Sequence, residues 1–281
     1  MVLIDLNQVL LSGLMAQISG NKKLKIEENL VRHLVLNILR GHIKNFKQEY
    51  GEIILCCDNR TYWRRDVFPF YKAGRKKSRE KSDLDWHLIF DILGNLKSEL
   101  KEYFPYKVID VENAEADDII GTLVPRYAPH EKIVILSSDG DFLQLQTYEN
   151  VKQYNPTMKK YVKSHNPAME LKEKIIRGDK GDGIPNIISP PNCFVADIRQ
   201  KAITQGKLND FLKESPDNYD ENTKIGYNRN KLLIDLTCIP EEVKQRIIKA
   251  YEETTVAPRN KLLNYFISKK LTNMIDVIGD F

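Results

Sequence analysis

The stretch ILSSDGDFLQL (135–145) ends an apolar strand and then places Asp139 and Asp141 on either side of one glycine. Two carboxylates this close raise each other's pKa unless a cation neutralises them. A second interpretation is that Asp139 ends a loop and Asp141 caps a helix that starts at Phe142. The stretch alone supports both interpretations, so the features around it must distinguish them.

Apolar runs alternate with helical patterns around this stretch, which predicts an α/β fold. We expect a mostly parallel central sheet with helices on both faces, because strands that alternate with helices form parallel sheets. The predicted strands are 2–5, 52–58, 107–111, 132–138 and 151–156. The predicted helices of this part are 28–49, a helix capped by Ser82 or Asp83 that runs to about Tyr103, and 114–127, which Pro125 should disturb near its end.

From residue 168 onwards the pattern is helical throughout. The predicted helices are 168–177, 193–204, 208–213, 221–236, 240–253, 258–268 and 271–277. We therefore predict two domains, an α/β domain at 1–178 and a smaller all-helical domain at 179–281.

Carboxylates follow the predicted parallel strands at the points where the strands end. In a parallel sheet the carboxyl ends of the strands open on one edge, where ligands bind. The acids that reach this edge are Asp5, Asp58, Glu115, Asp117, Asp139 and Asp141, and the loop at 178–186 adds Asp179 and Asp182. Each acid alone could be a helix cap or a turn residue, but a coincidence at every strand end is improbable.

Such a cluster needs cations to stay ionised. Oxygen ligands without Cys or His suit Mg²⁺ or Mn²⁺ and not zinc. Eight acids exceed what one Mg²⁺ takes, so two ions are predicted, and two ions can clamp both oxygens of a phosphoryl displacement.

The basic residues are concentrated between Arg60 and Lys81, where nine of them oppose two acids. This stretch carries +7 and the remainder of the chain −3. Lys and Arg bind phosphates, and aromatic residues such as Phe70 and Tyr71 stack on unpaired bases. The alternative is a solvated, charged helix face. Beside an acidic rim we favour nucleic-acid binding, with Lys72 and Arg75 touching the reacting phosphate.

The loop GDKGDGIPNI (178–187) contains three glycines that let the backbone approach a phosphate. A plain turn between two domains is the alternative. The predicted nucleic-acid contacts of the basic stretch and this loop are Arg64, Arg65, Tyr71, Lys72, Arg75, Lys76, Lys77, Gly181, Gly183 and Ile184.

The composition excludes several other classes of protein. Of 281 residues, 42% are hydrophobic, which is enough for a core, and no apolar run approaches the ~20 residues of a membrane span. The first residues lack the basic segment of a secretory signal. The four cysteines form no CxxC motif, so reduced thiols are expected instead of disulfides or a zinc site.

Taken together, these motifs resemble the 5′-nucleases of the flap endonuclease (5′-3′ exonuclease) family, and most of all its phage ribonuclease H-type members. The resemblance covers nearly the whole chain. It rests on LIDLNQ (3–8), CCDNRTYWRRDVFPFYKAGRKKSREK (56–81), EADDIIG (115–121), ILSSDGDFLQL (135–145), GDKGDGIPN (178–186) and PRNKLLNYF (258–266).

The resemblance implies roles for the acidic residues. Asp5, Asp58, Glu115 and Asp117 would serve a first metal ion, and Asp139, Asp141, Asp179 and Asp182 a second, with Asp117 near both. Asp117 and Asp139, together with Lys72 and Arg75, would form the catalytic group.

It also implies how nucleic acid would bind. Lys72 and Arg75 would lie at the base of a helical arch (about 60–81) that holds single-stranded 5′ ends. The loop at 178–186 would belong to a helix–three-turn–helix that grips duplex DNA and a K⁺ ion. Pro190 and Pro191 depart from the usual form of that motif and put its second helix in doubt.

The expected activity is removal of RNA primers and short DNA from 5′ ends and cleavage of 5′ flaps. The expected substrates are RNA–DNA hybrids and forked or flapped DNA, and the expected partners are a single-strand-binding protein or a sliding clamp. We expect a monomer without membrane contact in the cytoplasm, which is the host cytoplasm if a phage encodes the protein.

Two other functions stay open. A toxin-like ribonuclease of the related PIN class would be shorter and would lack the arch and the helical tail. A non-catalytic adaptor that binds branched DNA would show no metal-dependent turnover, although eight carboxylates that repel phosphate argue against it.

Overall fold

A six-stranded sheet forms the centre of the computed structural model, which describes residues 1–20, 27–82 and 84–281. Its strand order is β3-β2-β1-β4-β5-β6, and β6 alone runs antiparallel to its neighbour. The strands are β1 (Val2–Asp5), β2 (Ile53–Cys57), β3 (Lys107–Asp110), β4 (Ile133–Leu136), β5 (Val151–Asn155) and β6 (Lys160–Val162). The predicted α/β class and the five parallel strands are confirmed, whereas β6 was not predicted.

Helices connect the strands and cover the sheet. They are α1 (Leu6–Gly20), α2 (Glu28–Tyr50), α3 (Trp63–Val67), α4 (Gly74–Glu80), α5 (Trp86–Tyr103), α6 (Ala116–Tyr127), α7 (Pro167–Arg177), α8 (Gln205–Lys213), α9 (Glu221–Ile234), α10 (Glu241–Glu253), α11 (Lys261–Ser268) and α12 (Thr272–Ile275). Short 3₁₀ helices lie at Gly140–Thr147, Pro216–Asn218, Leu236–Cys238 and Ile278–Asp280. None of the helices in the described ranges has the length and apolar character needed to span a membrane.

Two predicted details of the helices differ from the structure. The cap of α5 is Asp85, whose side chain accepts the Leu88 N–H at 3.0 Å, and not Ser82. The other predicted cap, Asp83, lies outside the described residues. Helix α6 ends at Tyr127 as predicted, but it continues through Pro125 without a break.

Two hydrophobic layers lie on opposite faces of the sheet. In the first layer α1, α2 and α5 pack with α11, α12 and the terminal Phe281. In the second layer α6 packs with α10. Segments after residue 236 thus complete the cover of both faces. The predicted boundary at residue 178 stays a prediction, and the core includes residues from both sides of it.

A third hydrophobic cluster joins the basic stretch to the helical part. Phe68 and Tyr71 pack there with Ile175 and Ile176 of α7, and with residues of α8 and α9. This cluster fixes the start of the basic stretch against the loop that follows α7, and it thereby positions both beside the sheet edge.

The predicted helix at 193–204 is wrong, because the chain forms turns from residue 191 and continues irregularly until α8 begins at Gln205. Asp197, in the middle of this segment, adopts a φ of 55°, which interrupts helical geometry. The first helix of the expected helix–three-turn–helix is α7, and the second is absent at this position.

Candidate active site

Four strand ends bring carboxylates together at one edge of the sheet. Asp5 is the last residue of β1, Asp58 follows β2, and Asp139 follows β4 after two serines. Glu115 is the residue before α6, and Asp117 lies in the first turn of that helix. The sequence prediction that these acids share one edge agrees with the topology, because β1, β2 and β4 are neighbouring parallel strands.

Hydrogen bonds hold the first of these carboxylates in place. Asp5 accepts the Ser137 hydroxyl at 2.9 Å and the Gln8 N–H at 3.3 Å. Asp58 accepts the Ala116 N–H at 2.9 Å and the Asn7 amide at 3.1 Å. Asp117 accepts no hydrogen bond from a described residue. These acids are thus oriented by neutral donors and not by cations.

The charges of these acids oppose one another. Burial, together with the negative charges of Asp58 and Asp139, raises the pKa of Asp5 to about 7. Burial and the nearby Asp139 raise the pKa of Asp117 well above its ordinary value, and burial also raises the pKa of Asp139. Acids that resist ionisation without a counter-charge form a site that favours a bound cation.

Asp139 also begins the short 3₁₀ helix after β4. Its side chain accepts the Asp141 N–H at 2.9 Å, and the helix runs from Gly140 to Thr147. The expectation that Asp141 caps a helix starting at Phe142 is therefore wrong, because Asp139 is the capping residue.

Lys72 and Arg75 of the basic stretch contact the acids directly. The Lys72 ammonium lies 2.5 Å from Glu115 Oε1 and 3.7 Å from Asp182 Oδ2. The Arg75 guanidinium lies 2.6 Å from Asp182 Oδ1. Burial disfavours the ionised form of Asp182, but Lys72 and Arg75 outweigh it and lower its pKa. The structure thus places Lys72 and Arg75 at the acidic edge, whereas their contact with a reacting phosphate stays a prediction.

Another cation at this edge was not predicted. The ammonium of Lys174, in the last turn of α7, contacts Asp141 and lies 3.1 Å from Asp179 Oδ2. No sequence signal marks this residue, because Lys174 is one of several lysines in an amphipathic helix. Its role depends on how α7 docks beside the 3₁₀ helix.

Arg64 and Tyr71 were predicted to contact nucleic acid, and the structure contradicts both. Each is 2% exposed. Arg64 pairs with Glu115 at 3.0 Å and Asp118 at 2.8 Å, and the Tyr71 hydroxyl donates to Glu115 and Asp182. Both therefore position acids from within the protein.

The predicted loop contacts are also partly enclosed. Ile184 is 2% exposed and pairs through its backbone with Asp179. Gly183 has a φ of 72° and packs against the Phe70 carbonyl, so it joins the loop to the basic stretch. Gly181 is exposed. Among the predicted basic contacts, the exposed residues are Arg65, Arg75, Lys76 and Lys77.

A groove of about 1190 Å³ begins at Arg75 and lies beside the acids, not over them. One wall is the basic stretch and α5, and the other is the turn segment at 190–203. Cationic residues in its lining are Arg75, Arg79, Arg177, Lys180, Arg199 and Lys201, and aromatic ones are Phe70, Trp86, Phe90 and Phe194. The far wall was not predicted, because its basic residues, Arg199 and Lys201, lie in a segment that was predicted to be a helix.

The donor set fits a hard divalent cation. Every acid at the edge offers oxygen, and four of them lack an ion pair with any described residue: Asp5, Asp58, Asp117 and Asp139. As the side chains are placed, no three potential ligands of the described ranges are close enough together to hold one ion. The fit therefore rests on the chemistry of the donors and on their uncompensated charge.

A parallel sheet with this acidic edge and a neighbouring basic groove defines a nuclease that cleaves phosphodiesters. The chain belongs to the 5′-3′ exonuclease family: the model of the 5′-3′ exonuclease N-terminal, resolvase-like domain matches residues 1–175, and that of the T4 RNase H C-terminal region matches 165–281. The predicted family and the predicted enzyme class, an exonuclease and flap endonuclease of the ribonuclease H type, are thereby confirmed.

Individual relatives agree with this assignment. Ribonuclease H of Enterobacteria phage T4 is 36% identical over 293 residues, covering 99% of this chain and 95% of the relative. Flap endonuclease Xni of Shewanella woodyi is 31% identical over 136 residues, covering 45% of this chain and 50% of the relative. The solved structure of T5 5′-exonuclease with zinc shares the fold, with a TM-score of 0.62 at 14% identity over 90% of this chain and 98% of that one.

Proposed function

We propose that this protein is a divalent-metal-dependent 5′-nuclease that hydrolyses phosphodiesters at the 5′ ends of RNA–DNA and DNA duplexes and at 5′ flaps, and so removes RNA primers during DNA replication. The observation that carries the proposal is the set of uncompensated carboxylates beside a cationic groove. A relative named ribonuclease H and another named flap endonuclease support both substrate classes. A neighbouring T5 D15 structure is described as a complex with DNA and metal ions.

The acids would hold two Mg²⁺ ions, for which Mn²⁺ offers the same ligand preference. Bound there, divalent ions lower the pKa of a water and stabilise charge on the phosphate oxygens. Asp5, Asp58, Asp117 and Asp139 would supply most of the ligand charge, because they have no ion-pair partner in the described part of the chain. The assignment of Asp5, Asp58, Glu115 and Asp117 to one ion, and of Asp139, Asp141, Asp179 and Asp182 to the other, stays a prediction. A K⁺ ion in the loop at 178–186 also stays a prediction.

Lys72 and Arg75 would position the reacting phosphate. Each already pairs with a carboxylate at the acidic edge, and Arg75 also lines the groove. A phosphate that enters there would accept hydrogen bonds from the Arg75 fork and from the ammonium of Lys72. Glu115 and Asp182 keep both side chains charged and directed towards the edge.

The groove would receive the single-stranded 5′ end. Its cationic residues match the phosphates, and its aromatic residues match unpaired bases, which stack on π-faces of any sequence. Arg65, Lys76 and Lys77 of the basic stretch are exposed and would add phosphate contacts. A monomeric state, and a sliding clamp or single-strand-binding protein as partner, stay predictions.

A cleavage assay tests the proposal. A 5′-labelled flap and an RNA–DNA hybrid are incubated with Mg²⁺, with EDTA, and with the variants Asp139→Asn and Asp117→Asn. We expect short 5′ fragments that disappear with EDTA, and a loss of about a hundredfold or more in either variant, since even residues that support metal ligands cost 10–100-fold.

The matched control is Asp91→Asn, which removes an exposed carboxylate on α5 away from the acids. It should cleave like the unaltered protein. Full activity in Asp139→Asn would refute the catalytic assignment, and tight binding of forked DNA without cleavage would favour the non-catalytic adaptor.

A further inference from the structure

The eight acids of the edge fall into two sets that differ in counter-charge. Those in the first set have no ion pair with any described residue; they are Asp5, Asp58, Asp117 and Asp139. Those in the second set are each paired with a cation of the protein; they are Glu115, Asp141, Asp179 and Asp182. The molecule therefore does not present two equivalent metal sites.

Lys174 is the cation that pairs with two acids of the second set. Its ammonium bridges Asp141, which follows β4, and Asp179, which lies in the loop after α7. The side chain of Lys174 is 26% exposed, and those of Asp141 and Asp179 are 13% and 26% exposed. The contact is partly shielded from water, so solvent screens it less than a surface ion pair.

Another lysine on the same helix shows that this arrangement is specific. Lys172 directs its ammonium to the backbone carbonyls of Leu212 and Glu214, both at 2.8 Å, and not to a carboxylate. The double contact with Asp141 and Asp179 therefore depends on where Lys174 lies on α7, and not on the number of lysines in that helix.

We propose that Lys174 is a resident counter-ion that lowers the affinity of the second carboxylate set for a divalent cation. The inference rests on the proposed metal-dependent function. In the free protein one divalent ion binds strongly at the first set, and a second ion binds only as the ammonium withdraws from Asp141 and Asp179. A divalent ion and an ammonium cannot share two carboxylates without strong repulsion at such short distances.

The first test measures metal binding without nucleic acid. Mn²⁺ is titrated into the full chain and followed by calorimetry, with free Mn²⁺ counted by electron paramagnetic resonance. The variant Lys174→Met should bind the second ion about tenfold or more tightly than the unaltered protein, because the competing charge is gone. Lys172→Met is the matched control and should not change either affinity.

Equal affinities of Lys174→Met and the unaltered protein for the second ion would overturn the proposal, as would the same increase in Lys172→Met. Because no substrate is present, the outcome is independent of the cleavage assay. A protein that cleaves nothing but shows the increase would refute the proposed function and leave the role of Lys174 intact.

A second measurement uses the unaltered protein and needs no variant to fold. Amines are labelled with an acylating reagent at low and at high Mg²⁺, and each lysine is quantified by mass spectrometry. Labelling of Lys174 should rise as the second ion binds, while labelling of Lys172 stays constant. Constant labelling of Lys174 across a titration in which the second ion binds would show that the ammonium does not withdraw.

Discussion

The carboxylate of Asp139 caps the 3₁₀ helix by accepting the Asp141 N–H, and burial raises its pKa. From the sequence, Asp139 was either a loop end or a metal ligand, and the cap was assigned to Asp141. The acids that follow the strands were placed at the correct edge of the sheet, because the carboxyl ends of parallel strands all lie at one edge. The strand directions could not predict Lys174 or Arg64, whose partners are set by the docking of helices that are distant in sequence.

Gly183 connects the loop after α7 to the start of the basic stretch, and its backbone demands glycine. Its φ is 72°, and a Cβ there would lie 2.9 Å from the Phe70 carbonyl oxygen. We expect Gly183→Ala to lower the free energy of unfolding by about 1–3 kcal/mol through backbone strain. Urea unfolding followed by circular dichroism measures this change.

The control for that substitution is Gly206→Ala in α8, where a Cβ would meet nothing within 4 Å. Its unfolding free energy should stay constant or rise by up to about 1 kcal/mol, since alanine favours helix. Equal effects of the two substitutions would show that the conformation of Gly183 is not required.

At the scale of elements, apolar runs predicted the buried strands and amphipathic spacing predicted most helices. Strand β6 was missed because it is short, exposed and polar, and it is held only by pairing with β5. The segment at 193–204 was wrongly predicted helical because of its apolar spacing. Side-chain periodicity does not report a backbone conformation such as the φ of 55° at Asp197.

Helix α2 places the half-buried His42 against the edge of the Tyr154 ring, with the ring centroids 6.5 Å apart. Burial lowers the pKa of His42 to about 4. Because this lies below the ordinary value of about 6.5, the unfolded chain takes up the proton first. The stability that depends on neutral His42 is therefore present above pH 6.5 and is lost as the pH falls towards 4.

Urea unfolding at pH 7.5 and at pH 5.0 measures this effect. Between these pH values, we expect the free energy of unfolding to fall by about 1–2 kcal/mol more in the unaltered protein than in His42→Gln. His87→Gln, which changes an exposed histidine on α5, is the control and should follow the unaltered protein. Parallel pH profiles for His42→Gln and the unaltered protein would contradict a buried neutral histidine.

At the scale of the whole molecule, the end of the chain is part of the core of the sheet. Leu262, Phe266, Met274 and Phe281 are all buried in the same layer as strand β1. A helical tail was predicted, but its packing was not, since the sequence does not say which surface an amphipathic helix covers. The sheet and the residues after 236 should therefore unfold together.

Phe281→Ala tests this shared core. The ring is 1% exposed and packs against Phe104 and Phe266, with centroids 5.8 and 5.4 Å away. We expect a loss of about 3–5 kcal/mol in the free energy of unfolding, with one cooperative transition in urea. Ile267→Ala, at a position that is 58% exposed on α11, should cost far less.

Unfolding in urea could instead show two separate transitions. If Phe281→Ala shifted only one of them, the result would contradict a shared core. Such a result would support an independent helical domain after residue 178.

The neighbouring thiols of β2 lie on opposite sides of the sheet. Cys57 belongs to the layer with α2 and the chain end, and Cys56 to the layer with α6 and α10. Both are fully buried, and burial raises the pKa of both thiols, so neither reacts while its layer is closed. The alkylation rate of Cys57 therefore reports how often the layer with α2 opens. The alkylation rate of Cys56 reports the opening of the layer with α6 and α10, so two adjacent residues of one strand measure the two layers separately.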